Sequence, residues 1–213
     1  MDDLFSNADG QKLHLPDADL VFWHDVLPDN HTSVLQQLIE EIPWRQEHVT
    51  LWGKTYPQPR LVAWYADAGQ SYSYSGVILE ATPFTSPLLE IKARVEALCC
   101  ENFNSVLLNY YRDHRDSMGF HADDEPELGA CPSIASLSLG EERTFVMKHR
   151  SREDIGDLRI GLTSGSLLLM RGETQSNWKH GIPKTTKPLG PRVNLTFRQI
   201  ISPVKRGKKH DAN

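Results

Sequence analysis

Two groups of polar residues have types and spacing that could bind a metal ion and an anion. In His121-Ala122-Asp123, the histidine and the aspartate lie two residues apart, so both would face the same way on a strand. Such a triplet alone also fits a surface histidine beside acids, and His180 is the best-placed third ligand. Two histidines and one carboxylate leave coordination positions open, which suits Fe(II) and oxygen chemistry. The predicted catalytic and metal-binding residues are therefore His121, Asp123 and His180.

The second group is the strict alternation over residues 192–198, where polar and apolar side chains take turns. On a strand, Arg192, Asn194, Thr196 and Arg198 would line one face, and valine, leucine and phenylalanine would line the other. Arginine binds carboxylates through two parallel hydrogen bonds, so two guanidiniums on one face suit a ligand with two carboxylates. The segment alone also fits an ordinary strand with a solvated polar face.

These residues need a scaffold, and the chain pattern predicts short strands with two early helices. Strands are predicted near 20–23, 60–65, 105–111, 133–139, 143–149, 166–171 and 192–200. Thr32 is the predicted cap of a helix that ends before Pro43, and a second helix should begin near Ser86. We therefore predict an all-β core with flanking helices (α+β), arranged as a double-stranded β-helix, or jelly roll.

Composition narrows the class of protein. The chain has 213 residues, 39% of them hydrophobic, which is ordinary for one globular domain. It has no apolar run near the roughly 18 residues of a membrane span and no signal-peptide pattern, so we expect no membrane role. Three cysteines without CxxC spacing argue against a disulfide framework and a zinc ribbon. The net charge of −5 does not indicate nucleic-acid binding, and the one dense basic run is 205–209.

The triplet, His180 and the alternating strand, in this order, resemble the AlkB family of Fe(II)/2-oxoglutarate dioxygenases. The resemblance runs from about Pro59 to Ile200 and includes Asn109-Tyr110-Tyr111 and the segment 132–140. Within the family, the chain looks most like the branch that repairs double-stranded DNA, typified by a nuclear human homologue. That closer match is carried by residues 51–54, 59–60, 67–69, 72–76 and 121–125.

The resemblance implies an oxidative demethylase that repairs N-alkylated DNA bases and releases formaldehyde. The implied lesions are 1-methyladenine and 3-methylcytosine, with etheno adducts as a further candidate, and duplex DNA is the preferred form. Fe(II), 2-oxoglutarate and O2 are implied as cofactor and cosubstrates. Arg198 would meet the carboxylate beside the ketone, and Arg192 with Tyr111 the distal one. The full set of predicted cosubstrate residues is Asn109, Tyr111, Arg192, Asn194, Thr196 and Arg198.

A flipped-out base would need its own contacts, because chemistry on a base requires access outside the stack. Leu51-Trp52-Gly53 is a candidate intercalating finger, although Trp52 could instead pack into the protein. Tyr72 and Tyr74 could flank the base, although aromatic pairs at this spacing are often core. The predicted substrate-binding residues are Leu51, Trp52, Gly53, Arg60, Tyr72, Tyr74, Ser75 and Glu125.

The predicted organisation is one compact domain. Its parts are a flexible lead-in (1–18), a nucleotide-recognition lid with supporting helices (19–100), a jelly-roll core (101–202) and a basic tail (203–213). We expect a monomer that binds DNA, in the cytoplasm of a bacterium or the nucleus of a eukaryote, with single-stranded DNA or RNA as alternative partners. The same fold could instead serve an RNA demethylase, a protein hydroxylase or a non-catalytic dicarboxylate-binding module.

Overall fold

The computed structural model describes residues 10–27, 30–51, 53–67, 71–74, 77–80 and 82–201, without the side chains of 51, 71–74 and 77–80. In chain order, its strands are β1 (Gln11–Leu13), β2 (Asp19–Trp23), β3 (His48–Leu51), β4 (Lys54–Pro57), β5 (Leu61–Ala66), β6 (Ser71–Tyr74), β7 (Val77–Glu80), β8 (Ser105–Tyr111), β9 (Met118–His121), β10 (Ile134–Gly140), β11 (Arg143–His149), β12 (Leu158–Leu162), β13 (Leu167–Arg171), β14 (Trp178–Ile182) and β15 (Arg192–Arg198). The helices are α1 (His31–Glu41), α2 (Ser86–Cys99) and the four-residue α3 (Thr174–Asn177).

Two antiparallel sheets form the body of the described structure. The larger has seven strands in the order β1-β2-β13-β10-β15-β8-β5, and the smaller has four in the order β12-β11-β14-β9. Two further strand pairs, β3–β4 and β6–β7, stand apart from both sheets. This arrangement confirms the predicted jelly roll with few helices.

The larger sheet has a helix-covered face. Apolar side chains at helical spacing on α1 and α2 are buried against it because each helix carries an apolar stripe. They meet every second residue of β8, β10 and β15 in one core cluster. The central members are Leu38, Ile42, Leu88, Ile91, Val95, Val106, Leu108, Leu137, Leu139, Val193, Leu195 and Phe197.

The opposite face of the larger sheet packs on the smaller sheet. This second cluster includes Leu107, Tyr111, Ile134, Phe145, Met147, Leu162, Leu168, Met170, Trp178 and Ile182. The two sheets thus enclose an apolar layer, and any polar residue that points into it is taken away from bulk water. The candidate site lies in this layer.

Several elements differ from the sequence-based expectations. Helix α1 begins at His31 with Asn30 as its N-cap, so the prediction of Thr32 as the cap is wrong. Residues 11–13, which we assigned to a flexible lead-in, pair with β2 as a strand of the larger sheet. β14 was not predicted as a strand. β2 and β5, which lie in the region 19–100 predicted as the lid and its supporting helices, belong to the same sheet as β8 of the predicted core. No helix in the described ranges is long and apolar enough to span a membrane.

Candidate active site

Strand β15 divides its side chains between the two cores. All seven of its residues are buried, although four of them are polar or charged: Arg192, Asn194, Thr196 and Arg198. Its apolar residues join the helix-side cluster, whereas its polar residues line a pocket between the sheets. Other residues of that pocket come from both sheets: Asn109, Tyr111, Met118, Ser136, Phe145, Leu162, Met170 and Ile182.

His121, Asp123 and His180 meet at one end of this pocket. The two histidines are direct partners in the pairing of β9 with β14, and Asp123 follows β9 by two residues. Asp123 Oδ1 lies 3.8 Å from His121 Nε2, and Asp123 Oδ2 lies 3.9 Å from His180 Nε2. One donor atom from each of the three residues lies within 4.8 Å of the other two. The neighbouring Gly181 permits this approach, because a Cβ there would lie 2.9 Å from the Met118 carbonyl oxygen.

The electrostatics of these three residues suit a divalent cation. Burial disfavours the charged form of Asp123, but the guanidinium of Arg198, together with both histidines, lowers the pKa of Asp123 to about 2. Burial, reinforced by His121, lowers the pKa of His180 to about 3. His121 Nδ1 lies 2.9 Å from the Gly119 carbonyl, so it takes the donor role and leaves Nε2 as a ligand atom. A carboxylate and two neutral imidazoles are the donors that Fe(II) needs.

Arg198 and Arg192 lie at different ends of the polar wall. Arg198 Nη2 donates to Asp123 Oδ1 at 2.7 Å, which places this guanidinium beside the metal ligands. Arg192 is buried at the other end, where Nη2 donates to Ser138 Oγ at 2.9 Å and the guanidinium carbon lies 5.0 Å from the Tyr111 ring centre. Burial lowers the pKa of Arg192 to about 10, so it remains a cation at neutral pH.

Two nitrogens of Arg192 indicate what this end of the pocket binds. Nε and Nη1 are buried and have no hydrogen-bond partner among the described residues. A buried cation is stabilised by an anion or by further acceptors, so this end of the pocket suits an anionic ligand. Nε and Nη1 point to opposite sides of the planar guanidinium, so a carboxylate in the pocket would accept from one of them rather than from both as a fork.

The middle of the wall is held by side chains that bond to one another. Thr196 Oγ1 donates to Asn194 Oδ1 at 2.9 Å. Asn194 Nδ2 in turn donates to Ser136 Oγ at 2.8 Å and to the Leu137 carbonyl at 3.0 Å. Asn194 and Thr196, both predicted to bind the cosubstrate, thus use much of their hydrogen-bonding capacity within the protein.

The predicted substrate-binding residues have varied positions. Gly53 lies at the turn of the β3–β4 hairpin, next to the pair formed by Leu51 and Lys54. Trp52 and Ser75 lie outside the described residues, and nothing is described of the side chains of Leu51, Tyr72 and Tyr74. Glu125 is half-buried and directly precedes the short turn Pro126–Leu128. Arg60 is 4% exposed, and its Nε donates to Asn109 Oδ1 at 2.7 Å.

Sequence reasoning missed several residues that support the site. Gln175 Oε1 accepts from the Asp123 backbone N–H at 2.9 Å, and the guanidinium carbon of Arg143 lies 5.5 Å from the Tyr111 ring centre. Nothing in the local sequence marks either residue. Ser136 and Ser138 could have been found, because they alternate with apolar residues as the polar residues of 192–198 do.

A His-Asp-His centre beside a buried guanidinium, between the sheets of a jelly roll, defines the class of iron- and 2-oxoglutarate-dependent oxygenases. Residues 19–198 match the family described as the 2OG-Fe(II) oxygenase superfamily, and the chain belongs to this family. Membership confirms Fe(II), 2-oxoglutarate and O2 as the cofactor and cosubstrates that the sequence predicted.

Individual relatives place the chain among the AlkB homologues. It is 45% identical over 175 residues to the mouse (Mus musculus) alpha-ketoglutarate-dependent dioxygenase alkB homolog 3, covering 78% of this chain and 60% of that protein. It is 39% identical over 173 residues to the mouse DNA oxidative demethylase ALKBH2, covering 78% and 72%. The solved structure of OsALKBH1 shares the fold, with a TM-score of 0.62 at 17% identity over 89% of this chain and 100% of that one. The predicted resemblance to AlkB is confirmed. The chain spans less than two thirds of the length of the homolog 3 proteins.

Proposed function

We propose that this protein removes N-alkyl groups from DNA bases by Fe(II)- and 2-oxoglutarate-dependent hydroxylation. The observation that carries the proposal is the donor set in one pocket: three metal ligands at one end, and at the other a buried guanidinium with two nitrogens that lack a partner among the described residues. The DNA substrate is supported by relatives that are 39% and 45% identical, one of which is named as a DNA oxidative demethylase. The protein works as a monomer, in whichever compartment holds the DNA of its cell.

Each polar residue has a proposed role toward the bound groups. His121, Asp123 and His180 would hold the iron, and Arg198 fixes one oxygen of Asp123. Arg192 binds the distal carboxylate of 2-oxoglutarate through its charge and through a nitrogen that lacks a partner among the described residues. Fe(II) with 2-oxoglutarate and O2 supplies the oxidation, in which succinate and CO2 form and the hydroxylated methyl carbon leaves as formaldehyde.

The apolar residues of the pocket keep bulk water from the reacting groups. Phe145 stacks on His180 with ring centres 5.1 Å apart, and Leu162, Met170 and Ile182 complete the lining. A lining of this kind orients His180 and strengthens the electrostatic contacts of the polar wall, because it lowers the local dielectric.

The N-terminal hairpins are proposed to handle the nucleic acid. Trp52, in the finger 51–53 between β3 and β4, would fill the space that a flipped base leaves in the duplex. Tyr72, Tyr74 and Ser75 would line the base pocket. Glu125 would accept a hydrogen bond from the exocyclic amino group of a cationic methylated base.

One assay tests the proposal. The protein is incubated with Fe(II), 2-oxoglutarate, ascorbate and oligonucleotides that carry 1-methyladenine or 3-methylcytosine, as single strands and as duplexes, and formaldehyde and succinate are measured. The proposal predicts equimolar formaldehyde and succinate with DNA, and faster turnover on the duplex. Succinate without formaldehyde on any DNA would contradict it, and turnover on methylated RNA alone would favour the RNA demethylase.

A further inference from the structure

Arg60 was predicted from the sequence to bind the DNA substrate, but in the structure its side chain is buried inside the protein. It precedes β5, the edge strand of the larger sheet, and its side chain is turned inward so that only 4% of the residue is exposed. Phosphate contacts are made by cations that reach the surface. A buried guanidinium at this position has no such reach.

The inward contact of Arg60 is with a pocket residue. Its Nε donates to Asn109 Oδ1 at 2.7 Å, and both residues are buried. The length and the charge on the donor make this a strong hydrogen bond. Asn109 lies on β8 directly opposite Asn194 of β15, and it lines the same pocket as the metal ligands.

This hydrogen bond decides which end of the Asn109 amide faces a ligand. A side-chain amide has an accepting oxygen and a donating nitrogen, and the two ends can exchange by a flip about the last torsion. Because Arg60 takes the oxygen, Nδ2 is the end left for a ligand in the pocket. A carboxylate needs a donor there, and a flipped amide would present an oxygen to it and repel it.

We infer that Arg60 is a positioning residue for 2-oxoglutarate. Its hydrogen bond holds the Asn109 amide so that the Asn109 Nδ2 donor faces the cosubstrate. The inference rests on the proposed 2-oxoglutarate site. It assigns Arg60 to cosubstrate binding and removes it from the DNA-binding surface.

The test compares Arg60→Met, Arg60→Lys, Asn109→Ala and the double variant Arg60→Met/Asn109→Ala. Arg45→Met is the matched control, because Arg45 is an exposed arginine at the same sheet edge, where its backbone pairs with Val62. The dissociation constant for 2-oxoglutarate is measured directly on Mn(II)-loaded protein by calorimetry, which needs no turnover. Affinity for a methylated duplex is measured by fluorescence anisotropy, and the KM for 2-oxoglutarate and kcat are measured wherever DNA is turned over.

Arg60→Met should raise the dissociation constant for 2-oxoglutarate roughly tenfold, and Arg60→Lys should raise it less, since lysine can still donate to Oδ1. Duplex affinity should stay within about twofold of the parent, as it should in Arg45→Met, and KM should change more than kcat. The double variant should bind 2-oxoglutarate no more weakly than Asn109→Ala, because both changes remove one interaction.

Additive losses in the double variant would overturn the inference, and so would weaker duplex binding with unchanged 2-oxoglutarate binding. If Arg60→Met lowers the midpoint of thermal unfolding, the outcome is decided by Arg60→Lys and Asn109→Ala. Their dissociation constants for 2-oxoglutarate are then measured well below that midpoint. Calorimetry also separates this inference from the proposed function, because 2-oxoglutarate binds Mn(II)-loaded protein whether or not methylated DNA is the substrate.

Discussion

At the scale of single residues, Arg192 and Arg198 differ in what surrounds them. Arg198 already contacts a metal ligand, whereas Arg192 contacts a serine and an aromatic ring and has donors to spare among the described residues. The same conservative change should therefore have different consequences at the two positions.

Arg192→Lys keeps the charge but loses the fork, so the KM for 2-oxoglutarate should rise roughly 10- to 100-fold with metal affinity unchanged. Arg198→Lys should raise the same KM and also weaken metal binding, because Asp123 loses its partner. Steady-state kinetics and Mn(II) titration of both variants check this. An unchanged KM in both would return the strand to an ordinary structural role.

The metal ligands allow a second test at this scale. His121→Ala and Asp123→Ala should each abolish formaldehyde release, because two ligands do not hold Fe(II) in an ordered site. Asp123→Ala should also destabilise the metal-free protein by about 3 kcal/mol, since it removes the carboxylate that Arg198 contacts inside the core. Turnover and thermal unfolding are the measurements. Retained turnover in either variant would remove the iron assignment.

At the scale of elements, β15 packs one set of alternate residues into the helix-side core and lines the candidate pocket with the other. Leu195→Ala should cost about 2–5 kcal/mol of stability through a cavity on the helix side, with little effect on the 2-oxoglutarate KM measured below the unfolding transition. Arg192→Lys, on the other face of the same strand, should instead raise the KM for 2-oxoglutarate. Denaturant unfolding and kinetics would separate the two faces, and a large KM change in Leu195→Ala would contradict the separation.

The β3–β4 hairpin carries the proposed finger. Trp52→Ala should lower activity on duplex DNA by an order of magnitude or more and change activity on single strands far less, because a single strand leaves no stack to fill. Tyr56→Ala is the matched control, since Tyr56 is an exposed aromatic residue on the same hairpin away from its turn. Equal losses on both substrates would rule out intercalation.

The alternation of β15 could be predicted because period-two patterning fixes the two faces of any strand. His180 could be predicted as a metal ligand, but the strand that positions it could not. Strand β14 is short and contains a glycine, so its local sequence does not indicate a strand. It forms only by pairing with β9 and β11, which are distant in the sequence. The burial of Arg60 was missed for a similar reason. Its partner, Asn109, is 49 residues away, and nothing local distinguishes an inward arginine from a surface one.

At the scale of the whole molecule, the charge distribution is unfavourable for tight nucleic-acid binding. The net charge is −5, and four arginines on the described surface already pair with nearby aspartates: Arg112, Arg115, Arg150 and Arg152. These four arginines are therefore less available to phosphates, and we expect DNA recognition to depend more on the flipped base than on the backbone.

This balance predicts a shallow salt dependence. Raising monovalent salt from about 50 to 200 mM should weaken duplex affinity roughly 10- to 40-fold, which corresponds to two or three neutralised phosphates. Anisotropy titrations over that range give the slope, with calorimetric binding of 2-oxoglutarate as a buried-site control. An affinity that did not change with salt would contradict phosphate contacts altogether.

The buried Arg192 also has a consequence for how the protein tolerates change. Two nitrogens of this buried cation lack a partner among the described residues, which costs free energy, and 2-oxoglutarate bound as proposed would offset that cost and stabilise the fold. Stability and activity therefore favour different residues at this one position. In a pooled library of all substitutions at Arg192, we expect sorting by cellular abundance to enrich apolar residues such as methionine. Sorting by survival of alkylation damage should retain arginine.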